Sequence, residues 1–485
     1  MKPVHRIVLA VVVANAALGG WFLLREPAVD TAAPPAPVAG AGTVSLARYD
    51  LRARAKDLNV IVIDVDSLRF DRLAAGGNPD ALTPNLDAFA KEAVVFRKAI
   101  SAAPWTVPAT MSIWTGRWPS SHGVTNKLKL DAKGEMALTT LAPEIRTFPE
   151  MLVGAGWTAA AFTGGAGVSA SFGYGRGFTT YLDDRRFAGL DYSAPPAMAW
   201  LEQNLDSHFF LFLHGYDVHG QHPLDGIDPR VAVPAYKGTL DGSIEEQARL
   251  REQGLAAIQR PGDPATLEGV LSAEDAAFLL GVYDAKVRQA DERVGKVLDR
   301  LRTSGLLDRS IVAIVADHGE EFMEHAYIDH GATLCDHQLH VPLMIRFPGD
   351  TQQVLVDTPV RTLDLFPTLF DALGVAGPDG ADGKSLLPLL RGEQATYPIF
   401  AESDYRLFVH QRMAQLGDDR LVLDLEDGQR QLFDLAADPA ERHDASVAKA
   451  REAYELEQSL RTWMDATRTN PADYLGVRQD PIKIF

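Results

Sequence analysis

Sulfur chemistry is almost missing from this chain: Cys335 is its one cysteine. That excludes an intramolecular disulfide and a thiolate zinc cluster, and it leaves the compartment to be argued from other features. Long basic runs are missing too, and 47 Lys and Arg against 65 Asp and Glu give a formal net charge of −18. Without a basic stripe to follow a phosphate backbone, no nucleic-acid partner is expected. An acidic body accommodates a bound cation readily, whereas any pocket for an anionic substrate has to be locally positive. Tandem repeats are absent as well. What is present is a globular composition, 46% apolar and 23% charged over 485 residues, enough for one large core with an appendage.

The N-terminus carries the compartment signal. Lys2, His5 and Arg6 precede the uncharged run Ile7 to Leu24, which is near the lower limit of about 18 residues for spanning a bilayer. Residues 1–25 read as a signal peptide or signal anchor. The positive-inside rule then exports the remainder to the periplasmic or extracellular face, anchored at the inner membrane by this segment. Residues 26–56, with "TAAPPAPVAGAG" at Thr31 to Gly42, read as a Pro/Ala-rich linker that is either a peptidase site or an extended tether.

From Asn59 the texture changes. "NVIVIDVDSLRFDRL" is a β-branched run closed by acids, the pattern of a buried parallel strand with carboxylates at its C-terminal end, where open α/β sheets gather their ligands. Similar strands are expected at Trp157 to Phe162, Phe209 to Leu213 and Ile311 to Val315, with a long helix at Phe278 to Leu301. The alternation predicts an α/β fold with a mainly parallel sheet covered on both faces. Residues 57–397 form the expected catalytic domain, with a Gly-, Pro- and charge-rich insertion loop at 224–271. Residues 398–485 form a small C-terminal α+β subdomain with an antiparallel sheet, its hairpin turning at Asp427-Gly428.

Three strand ends carry potential ligands: Asp66, the pair Asp217 and His219, and the pair Asp317 and His318. An Asp-His pair closing a buried strand, as in "VADHGEE", offers a metal one carboxylate and one imidazole, or else forms a structural salt bridge or cap. Asp66 favours the metal, since two converging carboxylates repel unless a cation or proton lies between them. Thr106, in "PWTVPATMSIWTGRWP", either caps a helix or lies at its positive end as a metal-activated nucleophile.

Taken in order, "NVIVIDVDSLRFDRL", "TPNLDAFAKEAVVF", "PWTVPATMSIWTGRWPSSHGV", "IVAIVADHGEEFMEH", "DHGATLCDHQLHVPLMIRFPGD", "VRTLDLFPTLFDALGV", "DGKSLLPLLRG" and "QLFDLAADPAE" resemble the sulfatase branch of the alkaline phosphatase superfamily, from about Asn59 to Asp444. The resemblance implies an alkaline-phosphatase-like sheet and a metal-assisted ester hydrolase or transferase. It implies that Asp66, Asp317 and His318 hold one divalent ion (Mn, Zn or Ca), with Thr106 at the nucleophile position beside it. Asp64 falls behind them, and Ser67 stands where many sulfatases have a second Asp. His219 and His330 fall on substrate-oxygen or leaving-group positions. His325 either lines the pocket or pairs with Glu321, and His122 is a structural family feature. His222, His337 and His340 are expected to be solvated or packed. A second metal, held by Asp217, His219 and His330, is the further possibility.

The departures from the family matter. Thr106 cannot become formylglycine by the usual route from Cys or Ser, so none is expected, and Thr110 replaces the signature Arg. A Thr ester is opened by attack at sulfur or phosphorus, which favours phosphoryl or phosphodiester chemistry, as in related Thr-nucleophile phosphoglycerol transferases. The alternatives are a true sulfuric ester hydrolase and an inactive member binding an anionic glycan or lipid. The expected partner is an anionic ester on a glycan, a lipid head group or a small molecule.

Overall fold

Because the apolar runs are too continuous for a half-exposed sheet, they are buried on both faces. A computed structural model describes residues 49–469 apart from 131–134, 260–266 and 268–269. Its main sheet contains Asn59–Val65 (β1), Val94–Phe96 (β2), Thr158–Phe162 (β3), Thr180–Leu182 (β4), Phe209–Gly215 (β5), Ser310–Val315 (β6), Leu343–Arg346 (β7) and Val354–Val356 (β8). The spatial order is β8-β2-β7-β6-β1-β5-β3-β4. β1 is parallel to both β5 and β6, β3 continues the parallel run, and only β7 is antiparallel to its neighbours. Every residue of β1, β5 and β6 is buried, as the sequence pattern requires.

Alternate residues of β5 address opposite faces. Leu211 and Leu213 join Ile61, Ile63 and the helices Leu190–Gln203 and Ala273–Thr303. Phe210 and Phe212 pack on Trp114 of the helix Thr106–Thr115, with ring centroids 6.0 and 4.5 Å away. The long helix starts where a capping box demands it, with Ser272 and Asp275 exchanging side-chain and backbone hydrogen bonds.

The C-terminal part is an antiparallel meander, Ile399–Ser403 (β9), Gln411–Leu416 (β10), Asp419–Asp424 (β11) and Arg430–Asp434 (β12), with Gly428 at φ 73° in the last turn. Its helix, Ala450–Ala466, contributes Leu456, Leu460 and Trp463 to a cluster that also takes in Trp118 and Leu363 of the larger part. Buried Arg420 makes the polar tie, donating to Glu441 at 2.9 Å and to Asp336 at 2.7 Å.

Two boundaries differ from expectation, and a third segment is not described. The insertion at 224–271 is not a plain loop, since it holds the helices Pro229–Ala232 and Ile244–Gln259, the second burying Leu250 and Leu255 on one side. Its high charge hid a helix that is mostly solvated. The linker ends earlier than residue 56, because Tyr49, Leu51 and Ala55 are buried and the Leu51 N–H donates to Ala372 O. The signal or anchor segment at 1–25 lies outside the described residues, among which no helix is long and apolar enough to cross a membrane.

Removing Arg420 takes the ion-pair cation from buried Glu441 and one of two cationic partners from half-buried Asp336. Arg420→Ala is expected to lower unfolding free energy by about 3–5 kcal/mol in urea titration. A loss below about 1 kcal/mol would show that the tie is not structural.

Candidate active site

The site forms where β1 and β6 end side by side. Asp66 follows β1 and its N–H donates to Gly215 O at the end of β5. Ser67 then turns back at φ 63°, a strained value for a residue with a side chain. Its N–H donates to Asp317 Oδ1 at 3.3 Å and its hydroxyl to Asp66 Oδ1 at 2.8 Å. Asp317 Oδ1 also accepts the His318 N–H at 2.9 Å. Asp66, Asp317 and His318 are completely buried, and one ligand atom from each lies within 4.8 Å of the others.

The electrostatics fit a cation. Asp64, Asp66 and Asp317 crowd one dry spot, and burial followed by mutual repulsion pushes Asp64 and Asp66 well above the usual carboxylate range. Among the described residues no side chain donates to the carboxylate of Asp64, and the Asp317 backbone eases its charge only in part. His318 is preset as a ligand: Nδ1 lies 2.8 Å from Gly319 O, so it carries the proton and Nε2 is left as the lone pair. Thr110, at the signature Arg position, donates to Asp317 Oδ2 at 3.3 Å. The donor set, two carboxylates and one imidazole, suits a divalent ion of the Mn, Zn or Ca kind.

Thr106 is not a cap. Trp105 holds the cap position with extended backbone and makes no side-chain capping bond, so Thr106 is the first helical residue. Its hydroxyl donates to Asp66 Oδ2 at 3.1 Å and lies 3.3 Å from His318 Nε2. Gly167 packs on it so closely that an added Cβ would come 2.8 Å from Thr106 Cγ2. The hydroxyl thus points at the carboxylates from the positive end of a helix.

A cavity of about 700 Å³ opens in front of Thr106, lined by His219 and His330 among others. His219 Nδ1 accepts the Gln221 N–H at 2.9 Å, so its proton is on Nε2, and burial with neighbouring His330 and His318 keeps the ring neutral. Phe187, strained at φ 56°, stacks on His219 at 5.2 Å. His330 Nδ1 is 2.5 Å from Asp329 Oδ1. Burial would raise Asp329, but His330 and Arg251 together hold it far below the ordinary range.

A family model described as "Sulfatase" matches residues 58–375, and one described as "N-sulphoglucosamine sulphohydrolase, C-terminal" matches 323–470. The chain belongs to the sulfatase family. It is 26% identical over 359 residues to the ulvan-active sulfatase of Formosa agariphila, covering 69% of this chain and 65% of that protein. It is 24% identical to the Delta 4,5-hexuronate-2-O-sulfatase of Bacteroides thetaiotaomicron, covering 79% of this chain and 83% of that one. The first curated relatives are matched over 27–65% of their own length. Among solved structures, the phosphonate monoester hydrolase of Agrobacterium radiobacter shares the fold with a TM-score of 0.66 at 19% identity, covering 86% of this chain and 96% of that one.

Within this sulfatase-family pocket two expected residues are elsewhere. Asp217 does not join His219 and His330 in a second metal site: it is turned away onto Arg293 at 2.6 Å and the Leu190 N–H at 2.9 Å. Arg293 and the Leu190 N–H claim its carboxylate, while His219 accepts the Gln221 N–H and faces the cavity. His325 does not line the cavity. Its Nδ1 lies 2.6 Å from Glu321 and its Nε2 3.0 Å from Ala440 O, so both nitrogens face acceptors. His122 is structural, neutral and bonded to Ser112 and Val124, while His222 packs against Phe187 O and His340 against Asp336.

Other residues were missed. His214, inside β5, lies 3.5 Å from Asp66 Oδ2. Lys127, Arg186, Arg251 and Arg406 supply the local positive charge, with Trp105 and Tyr405 as aromatic walls. Burial and the three arginines push Lys127 down to about 8. Only His214 had a legible signal, as a polar residue in an apolar strand.

Two measurements follow. Purified protein should carry one divalent ion per chain by elemental analysis, and Asp317→Asn, which keeps the side-chain shape, should carry far less; an unchanged stoichiometry would overturn the ligand assignment. Separately, burial pulls His325 down, but Glu321 and Glu441 lift it to about 9. Being raised on folding, it stabilises fully below the unfolded value of about 6.5 and ceases to do so as pH rises through about 9. His325→Gln should therefore cost about 1–3 kcal/mol at pH 6 and close to nothing above pH 10. A deficit independent of pH would refute the ion pair.

Proposed function

We propose that this protein hydrolyses sulfate or phosphate esters through the Thr106 hydroxyl, with a divalent cation held by Asp66, Asp317 and His318. The supporting observation is the position of Thr106 Oγ1, 3.1 Å from Asp66 and 3.3 Å from His318 Nε2, at the mouth of a cationic cavity. When bound, the cation lowers the pKa of the Thr106 hydroxyl and offsets the buried carboxylates. The chain's own groups do the rest. The Thr106 O–H donates to Asp66 Oδ2, the direction in which its proton leaves. The freed oxygen bonds to sulfur or phosphorus as the bond to the leaving oxygen breaks. His219 Nε2–H and Lys127 serve the nonbridging oxygens, and His330, backed by Asp329, protonates the leaving oxygen. A water then gives its proton to His330 and attacks the same centre, and Thr106 leaves by taking back its proton from Asp66.

Sulfate esters are the first reading, because the similar curated proteins bear sulfatase names. A phosphoryl substrate is the second, and it rests on Thr106 itself: without the hydrated aldehyde of formylglycine, its ester opens only by attack at the central atom. The N-terminal run Ile7 to Leu24 supports an exported enzyme anchored at the inner membrane.

The test is a panel of aryl sulfate, phosphate monoester, phosphate diester and phosphonate esters with Mn, Zn or Ca, followed by quenched turnover with labelled substrate. Turnover of one class, with label on the Thr106 peptide, is expected. Thr106→Ser should retain part of the rate and Thr106→Ala should lose several powers of ten. Preference for sulfate supports the first reading and for phosphorus the second; no turnover, or normal turnover by the Ala variant, overturns both.

A further inference from the structure

The cavity holds more positive charge than one ester group needs. His219, His330 and Lys127 already stand around the position in front of Thr106, yet three guanidinium groups line the same cavity. They come from three unrelated segments: Arg186 from the loop after β4, Arg251 from the insertion helix Ile244–Gln259, and Arg406 from the turn Tyr405–Leu407 in the C-terminal subdomain.

Their internal neutralisation is incomplete. Arg251 has Asp329 at 3.2 Å and Glu252 at 3.3 Å, while Arg406 has only that same Glu252 as an acid, at 3.0 Å. Arg186 has no side-chain hydrogen bond or ion pair among the described residues. One shared carboxylate thus serves two arginines while a third stands free, on a molecule whose net charge is −18. Cations gathered on one wall repel one another, and an anion placed among them relieves that repulsion. The backbone is also strained at both turns involved: Phe187, next to Arg186, has φ 56°, and Arg406 and Leu407 have φ 51° and 64°. Strained turns of this kind persist where the surroundings hold a side chain in a required position.

We propose that Arg186, Arg251 and Arg406 form a second anion subsite, which receives a carboxylate or sulfo group carried on the leaving-group part of the substrate. The substrate is then an ester that bears at least two anionic groups, one at Thr106 and one at the arginines. Trp105 and Tyr405, whose rings pack at 5.3 Å, wall the space between and suit a flat or ring-shaped spacer. Guanidinium groups favour this role because their forked donors pair with planar or tetrahedral oxyanions. The inference deepens the ester-hydrolase reading and rests on it for the position of the first anion, but its test does not require turnover.

Calorimetry on the full-length wild-type protein would compare benzenesulfonate with benzene meta-disulfonate, biphenyl disulfonate and meta-sulfobenzoate. At least one two-headed probe should bind tenfold or more tightly than benzenesulfonate. A gain for the disulfonates alone identifies a sulfo group as the second anion, and a gain for sulfobenzoate a carboxylate. Arg186→Gln is an exposed change that should not disturb folding, and Arg406→Gln is its partner; together they should abolish the gain. Arg251 is left in place because it also steadies Asp329 and His330. Equal binding of one-headed and two-headed probes, or a gain that survives the double variant, overturns the proposal. A silent ester panel would remove the hydrolase reading and leave this result intact.

Discussion

Three carboxylates share one buried place at the ends of β1 and β6, and most of the arrangement around them serves to make that tolerable. Asp64, Asp66 and Asp317 cannot all ionise in a dry pocket unless a positive charge lies among them. The backbone N–H groups of Ser67 and His318, both aimed at Asp317, offset part of the repulsion. The remainder suits a cation, and Thr106, the helix that carries it and the neighbouring imidazoles are arranged about that place. The parallel sheet matters here because it brings two strand ends from distant parts of the chain into register.

Thr106 and Thr110 show how one helix is adapted to this centre. In the family signature the fourth residue after the nucleophile is an Arg, which would bring its own positive charge. Here a short hydroxyl fills that place and supports Asp317 instead. Positive charge on the cavity wall comes from outside the signature, from Lys127 and from arginines on an insertion, a loop and the C-terminal part. This sulfatase-family chain thus pairs a metal-type group of ligands with a cavity whose positive charge comes from other segments.

Local pattern was enough to read the strands, the long helix and the triad of Asp66, Asp317 and His318, because each is encoded by nearby residues: an apolar run, a helical spacing of apolar side chains, an acid at the end of a strand. The order of eight segments then carried the family. Asp217 was misread for a physical reason. Its position at a strand end resembles that of a ligand, but its side chain is claimed by Arg293, which lies far away on the long helix. His325 was left open, and Glu321 decides it. The arginines of the cavity were illegible because nothing in the residues beside Arg186, Arg251 or Arg406 marks them out; only the tertiary fold brings them to one wall. The insertion was taken for a loop since its helix shows the core few apolar residues.

The turn at Tyr405–Leu407 closes the cavity from near the far end of the chain. A polypeptide made from its N-terminus emerges with Asp66 first, then Thr106, then His219, then Asp317, His318 and His330, and gains this wall only when the final meander has folded onto the rest. Contacts of such long sequence separation form slowly, since chain entropy must be overcome before they stabilise anything. An incomplete chain would hold its reactive hydroxyl in an open, wet groove where charges are screened and orientation is loose. On the proposed mechanism, chemical competence is tied to completion of synthesis, because a chain that stops before the meander lacks this wall of the cavity.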